Sequence, residues 1–91
     1  MRNADLTDRY RFSLRVHTLP KTPQLARVQR AIAHLQDERF TLPLEHDYLT
    51  LPTPRVTFWA HRVPGTELEI VYSILPDGIS IDDVRPDLGG R

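Results

Sequence analysis

Arg9, Arg11, Arg15 and His17 alternate with Tyr10, Phe12, Leu14 and Val16 in one short stretch, and a second stretch carries Trp59, His61 and Arg62. Cations hold phosphate, an aromatic ring stacks on a base, and an imidazole moves protons near neutral pH, so these types supply the parts of an RNA or DNA site. A metal-independent ribonuclease needs a base near the 2′-hydroxyl, an acid for the leaving oxygen and a cation on the phosphate. His61 or Glu69 can serve as the base and Arg62 or Arg85 as the phosphate clamp. Tyr72 is a donor, but it falls in an apolar alternation that suits a core ring. The structural alternative pairs Arg9–Arg15 with Glu67, Glu69, Asp82 and Asp83 across neighbouring strands, and uses Trp59 to cap the open end of the core. His17, His34 and His46 sit in no local motif. The sequence has no metal-ligand spacing, no glycine-rich phosphate loop and no nucleophile elbow, so no cofactor is expected.

The elements that must position these side chains follow from periodicity. The alternation over Arg9–His17 predicts a strand with one buried face and one cationic face, stopped by Pro20 and Pro23. Thr22 followed by Pro23 reads as an N-cap with proline at the first helical position. Leu25, Val28, Ile32 and Leu35 then form one apolar stripe, which predicts a helix ending near Arg39. Pro43, Pro52 and Pro54 exclude a central strand or a long helix over residues 40–54, and Leu42, Leu44, Tyr48, Leu49 and Leu51 make this an apolar connector that packs on the domain. Arg55–Val63 predicts a strand with Val56, Phe58 and Ala60 on one face and Thr57, Trp59 and His61 on the other. After a Pro64-Gly65 turn, Leu68, Ile70, Tyr72 and Ile74 mark a further strand. Pro76-Asp77-Gly78 turns the chain into a last strand with Ile79 and Ile81.

The predicted fold is therefore α+β: one long helix packed on one face of a mostly antiparallel four-stranded sheet, in the order β-α-β-β-β. The other face stays open, carrying the cations of the first strand together with Trp59, His61 and Glu69.

A chain of 91 residues, 40% hydrophobic and 26% charged, suits one domain over residues 1–91 with flexible ends at 1–8 and 87–91. Twelve basic residues balance twelve acidic ones, but residues 1–39 hold eight basic and four acidic side chains and the remainder the reverse. Eleven of the twelve cations are arginine, whose planar guanidinium suits phosphate and carboxylate. With no cysteine there is neither a disulfide framework nor a thiolate metal site. No apolar run approaches the ~20 residues of a membrane span, and the N-terminus lacks the apolar segment of a signal peptide, so the expected protein is soluble and cytoplasmic with no membrane partner.

The stretch FWAHRVPGTELEIVYSILPDGISIDDVRP resembles the C-terminal half of RelE/ParE-type toxins of bacterial toxin–antitoxin pairs. There, a strand, a short turn, an "EI-V-Y" type strand, an acidic or glycine turn and a final strand ending in a basic residue follow in that order. The resemblance spans roughly residues 9–86, and family members place one or two helices between the first strand and this meander. It implies a toxin that binds a cognate antitoxin protein and either cleaves messenger RNA on the ribosome or inhibits DNA gyrase. Carried over by position, Arg85 matches the basic residue ending the last strand, while His61 and Arg62 lie where members carry basic or histidine residues. Glu69 stands where RNA-cleaving members often have arginine, which keeps the gyrase-inhibiting alternative open. The balanced charge keeps a third alternative, a non-enzymatic interaction module.

Overall fold

A computed structural model describes residues 1–18, 22–50 and 55–87. The chain runs β1 (Asn3–Leu6), α1 (Asp8–His17), α2 (Pro23–Gln36), β2 (Tyr48–Thr50), β3 (Phe58–Arg62), β4 (Leu68–Leu75) and β5 (Gly78–Pro86). The strands form one five-stranded sheet in the order β1-β5-β4-β3-β2, with β1 parallel to β5 and the other pairs antiparallel. This corrects the expected four-stranded sheet under a single helix: the architecture is two helices on a mixed five-stranded sheet. Pro20, Leu51, Pro52, Pro54 and the tail from residue 88 lie outside the described residues.

The largest departure is Arg9–His17, which is helix α1 and not a strand. An alternating pattern also places Tyr10 and Leu14 four residues apart, on one side of a helix, and these are the side chains that reach the core. Phe12 and Val16, the other two apolar residues of the alternation, are left outside. The helix is opened by Thr7, whose hydroxyl oxygen accepts from the Tyr10 amide at 3.1 Å. The same hydroxyl shares its proton between the carbonyls of Ile81 and Asp82, which pins the start of α1 to β5. Asp8 in the first turn and Arg15 and His17 in the last agree in sign with the helix dipole.

α2 begins as the sequence predicts, with Thr22 as N-cap and Pro23 at the first position, and buries Val28, Ala31, Ile32 and Leu35. Its C-terminal carbonyls are closed by the opposite end of the chain. Arg2 donates from Nη1 to the carbonyls of Leu35 (3.2 Å) and Asp37 (2.6 Å) and from Nη2 to that of Phe40. The Arg2 amide bonds to Gln36 O, and the Gln36 side chain donates back to Arg2 O. Unsatisfied helix-end carbonyls thereby become the anchor that lays β1 beside β5.

Strand register decides which side chains share a face, because directly opposed residues point the same way. Ile70 opposes Val84 and His61, and Tyr72 opposes Ile81 and Trp59, so these six face the helices. Glu69 opposes Arg85 and Arg62, and Val71 opposes Asp83 and Ala60, on the far face. A bulge between Val71 and Tyr72 leaves Asp82 as the extra residue of β5, where it accepts from Ser73 and Ser80 hydroxyls at 3.1 and 2.9 Å. The core joins Tyr10 of α1, the α2 stripe and Leu68, Ile70, Tyr72, Ile79, Ile81 and Val84 of the sheet.

At Gly78, β1 and β5 approach so closely that a Cβ would lie 2.4 Å from the Asn3 carbonyl oxygen. Gly78→Ala must therefore push two paired backbones apart and is expected to cost about 1–3 kcal/mol. Urea denaturation tests this: an unchanged midpoint would mean that β1 is not held against β5 at this position.

Candidate functional site

The side chains named from sequence do not assemble on one open face. His61 points toward the helices, while Arg62, Glu69 and Arg85 form a row across the far face. Glu69 is fully buried there. It accepts from Tyr48 Oη and from Arg85 Nε (2.6 Å), while Arg85 Nη2 donates to Thr50 Oγ1 at 2.9 Å. Desolvation alone would lower the Arg85 pKa, but the Glu69 carboxylate outweighs it and leaves it raised. A carboxylate enclosed in this way cannot act as a base, and its arginine is committed to it. Arg62 pairs with Asp87 at 3.2 Å. Arg9 pairs with Asp83 at 3.4 Å, Arg11 and Arg15 are exposed on α1, and His17 is half-buried at its end. Trp59 packs against the core from β3. Arg9, Arg11, Arg15 and His17 thus lie together on α1 while Trp59 turns to the core side of β3, and the single open sheet face expected to carry all five does not form.

The helix side holds a different constellation. The connector after α2 turns back at residues 44–47, where the Asp47 amide bonds to Leu44 O at 3.0 Å and the Leu44 amide donates to Asp47 Oδ2 at 3.1 Å. This turn drives the Asp47 side chain, only 2% exposed, against the sheet. Tyr72 Oη donates to Oδ2 at 2.5 Å, and His61 Nδ1 meets Oδ1 at 2.7 Å. Burial first, and then the hydrogen bond to Asp47, push the Tyr72 phenol far above its ordinary range, so it remains a proton donor. Facing a carboxylate, His61 Nδ1 carries the proton and donates, so that in the neutral ring the lone pair is on Nε2. Nε2 is buried and has no hydrogen-bond partner among the described residues.

Two clefts flank this imidazole, of about 490 and 520 Å³. His34, Phe40, His61 and Pro64 border both. The His34 ring sits edge-on to Phe40 at 4.9 Å and to His61 at 6.2 Å between centroids, forming the partition between the clefts. The first cleft is rimmed by Arg27, Arg30 and Arg39 against a single carboxylate, Asp37. Arg39 hydrogen-bonds Asp37 and holds its carboxyl down at about 2. Arg27 is steadied by Nη1 donating to Gly65 O at 2.9 Å, and Arg30 has no ion pair among the described residues. The arrangement is an oriented imidazole at the edge of a cationic cleft, suited to proton transfer beside a bound anion. Among the described residues no three His, Asp or Glu side chains come together in a way that could hold a metal ion.

Of this set the sequence pointed only to His61 as a base. It read Tyr72 as a core ring, and Tyr72 is both buried and a donor to Asp47. Asp47, His34, Arg27, Arg30 and Arg39 carried no motif; their meeting depends on the fold of the connector over the end of α2. Among the described residues no helix is long and apolar enough to cross a membrane. Comparison with known proteins finds no matching family model, no matching curated protein and no matching solved structure.

Arg85→Ala leaves the buried Glu69 carboxylate with Tyr48 alone and is expected to lower stability by about 3–5 kcal/mol, with partial recovery in the Arg85→Ala/Glu69→Gln double variant. Urea titration of the three proteins measures this, and a loss under about 1 kcal/mol would contradict a structural role for the pair. Tyr72 sets a separate pH dependence. Its folded pKa is raised above the unfolded value near 10, so its contribution is complete below about pH 10 and is lost as pH rises further. Stability of the wild type should fall more steeply above pH 10 than that of Tyr72→Phe. Burial also raises Tyr10 and Tyr48, so the variant retains a reduced slope and not a flat one.

Proposed function

We propose that this chain is a small metal-independent endoribonuclease whose acid–base centre is His61 oriented by Asp47, working at the cleft rimmed by Arg27, Arg30 and Arg39. The observation that carries this reading is the His61 imidazole lining a cationic cleft, with Nδ1 on a carboxylate and a buried Nε2 that has no partner among the described residues. In such a reaction Nε2 takes the proton of a ribose 2′-hydroxyl, the 2′-oxygen attacks the adjacent phosphorus, and the 5′-oxygen leaves with a proton from an acid on the opposite side. The arginines stabilise the charge that builds on the phosphate. His34, the second imidazole bordering this cleft, is the acid in this reading.

The RelE/ParE-type resemblance agrees with this chemistry, and a strand, two helices and a strand meander in succession is an order that family members use. The site proposed differs from the one carried over by position: Glu69 and Arg85 serve the far face of the sheet, and His61 alone passes from that set into the proposed centre.

The test is incubation of the purified protein with labelled messenger RNA in a translating extract. Cleavage is expected, reduced about 10²–10⁴-fold in His61→Ala and retained in Arg62→Ala. Intact RNA with the wild-type protein would overturn the reading. Inhibition of supercoiling that persists in His61→Ala would favour the gyrase-directed alternative.

A further inference from the structure

The two clefts that meet at His61 differ in charge. The first sets Arg27, Arg30 and Arg39 against Asp37. The second sets Arg62 against Glu45 and Asp47, and Arg62 is already paired with Asp87. A phosphate is drawn to the first and repelled from the second. The second is also the more apolar of the two, with Phe40, Leu44 and Pro64 in its wall. Phe40 is 42% exposed and borders both clefts. Its ring meets His34 edge-on at 4.9 Å, and the Arg39 guanidinium lies 5.9 Å from its centroid. An exposed ring beside the arginines of an anion site is placed to stack on a flat heterocycle attached to that anion. The two carboxylates of the second cleft are not equivalent. Asp47 spends both oxygens on His61, Tyr72 and the Leu44 amide, whereas Glu45 is exposed and has no ion pair among the described residues. An ionised carboxylate only accepts hydrogen bonds, so it selects a ring edge that donates.

We infer that the second cleft is a nucleobase subsite that selects guanine, with Phe40 stacking on the base and the Glu45 carboxylate accepting from its N1–H and 2-amino groups. The inference rests on the ribonuclease reading and names the nucleotide after which the chain cleaves, a guanosine whose 3′-phosphate lies in the first cleft. Guanine alone among the four bases presents two adjacent donors on its Watson–Crick edge, which one carboxylate can take as a bidentate pair. Adenine and cytosine present one amino group beside an acceptor nitrogen, and uracil presents an imino proton between two carbonyls. Each of these three turns a lone pair toward Glu45.

Isothermal titration calorimetry of the full chain with the four nucleoside 3′-monophosphates tests this. Guanosine 3′-monophosphate is expected to bind about tenfold more tightly than the other three. Glu45→Gln should remove that preference and leave the other three affinities unchanged. Phe40→Ala should weaken all four about 5–100-fold, and Arg30→Ala should weaken all four without altering their ranking. Equal affinity for the four nucleotides, a guanine preference that survives Glu45→Gln, or indifference to Phe40→Ala would overturn the inference, whether or not RNA is cleaved. Intact RNA from a chain that binds guanosine 3′-monophosphate through Glu45 would instead overturn the ribonuclease reading and support the subsite. Near-ultraviolet circular dichroism checks that each variant keeps its packing.

Discussion

The carboxylate of Asp47 is the constraint on which the helix side of this molecule turns. Buried almost completely, it loses the hydration that a free carboxylate enjoys, and that loss is tolerable only when each oxygen is met by a donor. The donors come from three places: Tyr72 in the centre of β4, His61 on β3 and the Leu44 amide of its own turn. Satisfying one charge therefore fixes the path of the connector, the rotamer of a core tyrosine and the tautomer of a histidine together. The cationic rim from α2 and the segment after it then lies beside an imidazole that is already oriented.

A second buried carboxylate, Glu69, performs the corresponding task on the opposite face. It draws Tyr48 from edge strand β2 and Arg85 from β5 onto the start of β4, spanning four strands in one polar network. Because β4 alternates, Glu69 and Tyr72 cannot share a face, and the two networks stay separate. This separation explains why the histidine and arginines grouped from sequence divide in space. One network closes the far face of the sheet, and the other borders an accessible cleft.

The sequence made α2 legible because its start is chemically marked, with threonine as cap and proline at the first position, and because its stripe follows the helical period. It concealed α1, since apolar residues at every second position satisfy a strand completely and a helix only at Tyr10 and Leu14. The stronger clue was Thr7-Asp8 just ahead of it, a cap and a first-turn acid. The parity of β3 was equally hidden. Phe58 and Ala60 look like its core face, but Ala60 is buried against Val71 on the far face, and Trp59 and His61 turn to the helices. A sheet that buries apolar residues on both faces cannot be assigned a core side from hydrophobicity alone. Asp47 gave no signal because its value depends on partners 14 and 25 residues away in sequence.

Asp47 sets the protonation geometry of His61, and long-range ¹H–¹⁵N correlation of the histidine rings reads it directly. His61 should show a proton on Nδ1 that is protected from exchange, and lose it in Asp47→Asn. An Nδ1 without a proton, or a His61 spectrum that Asp47→Asn leaves unchanged, would contradict this.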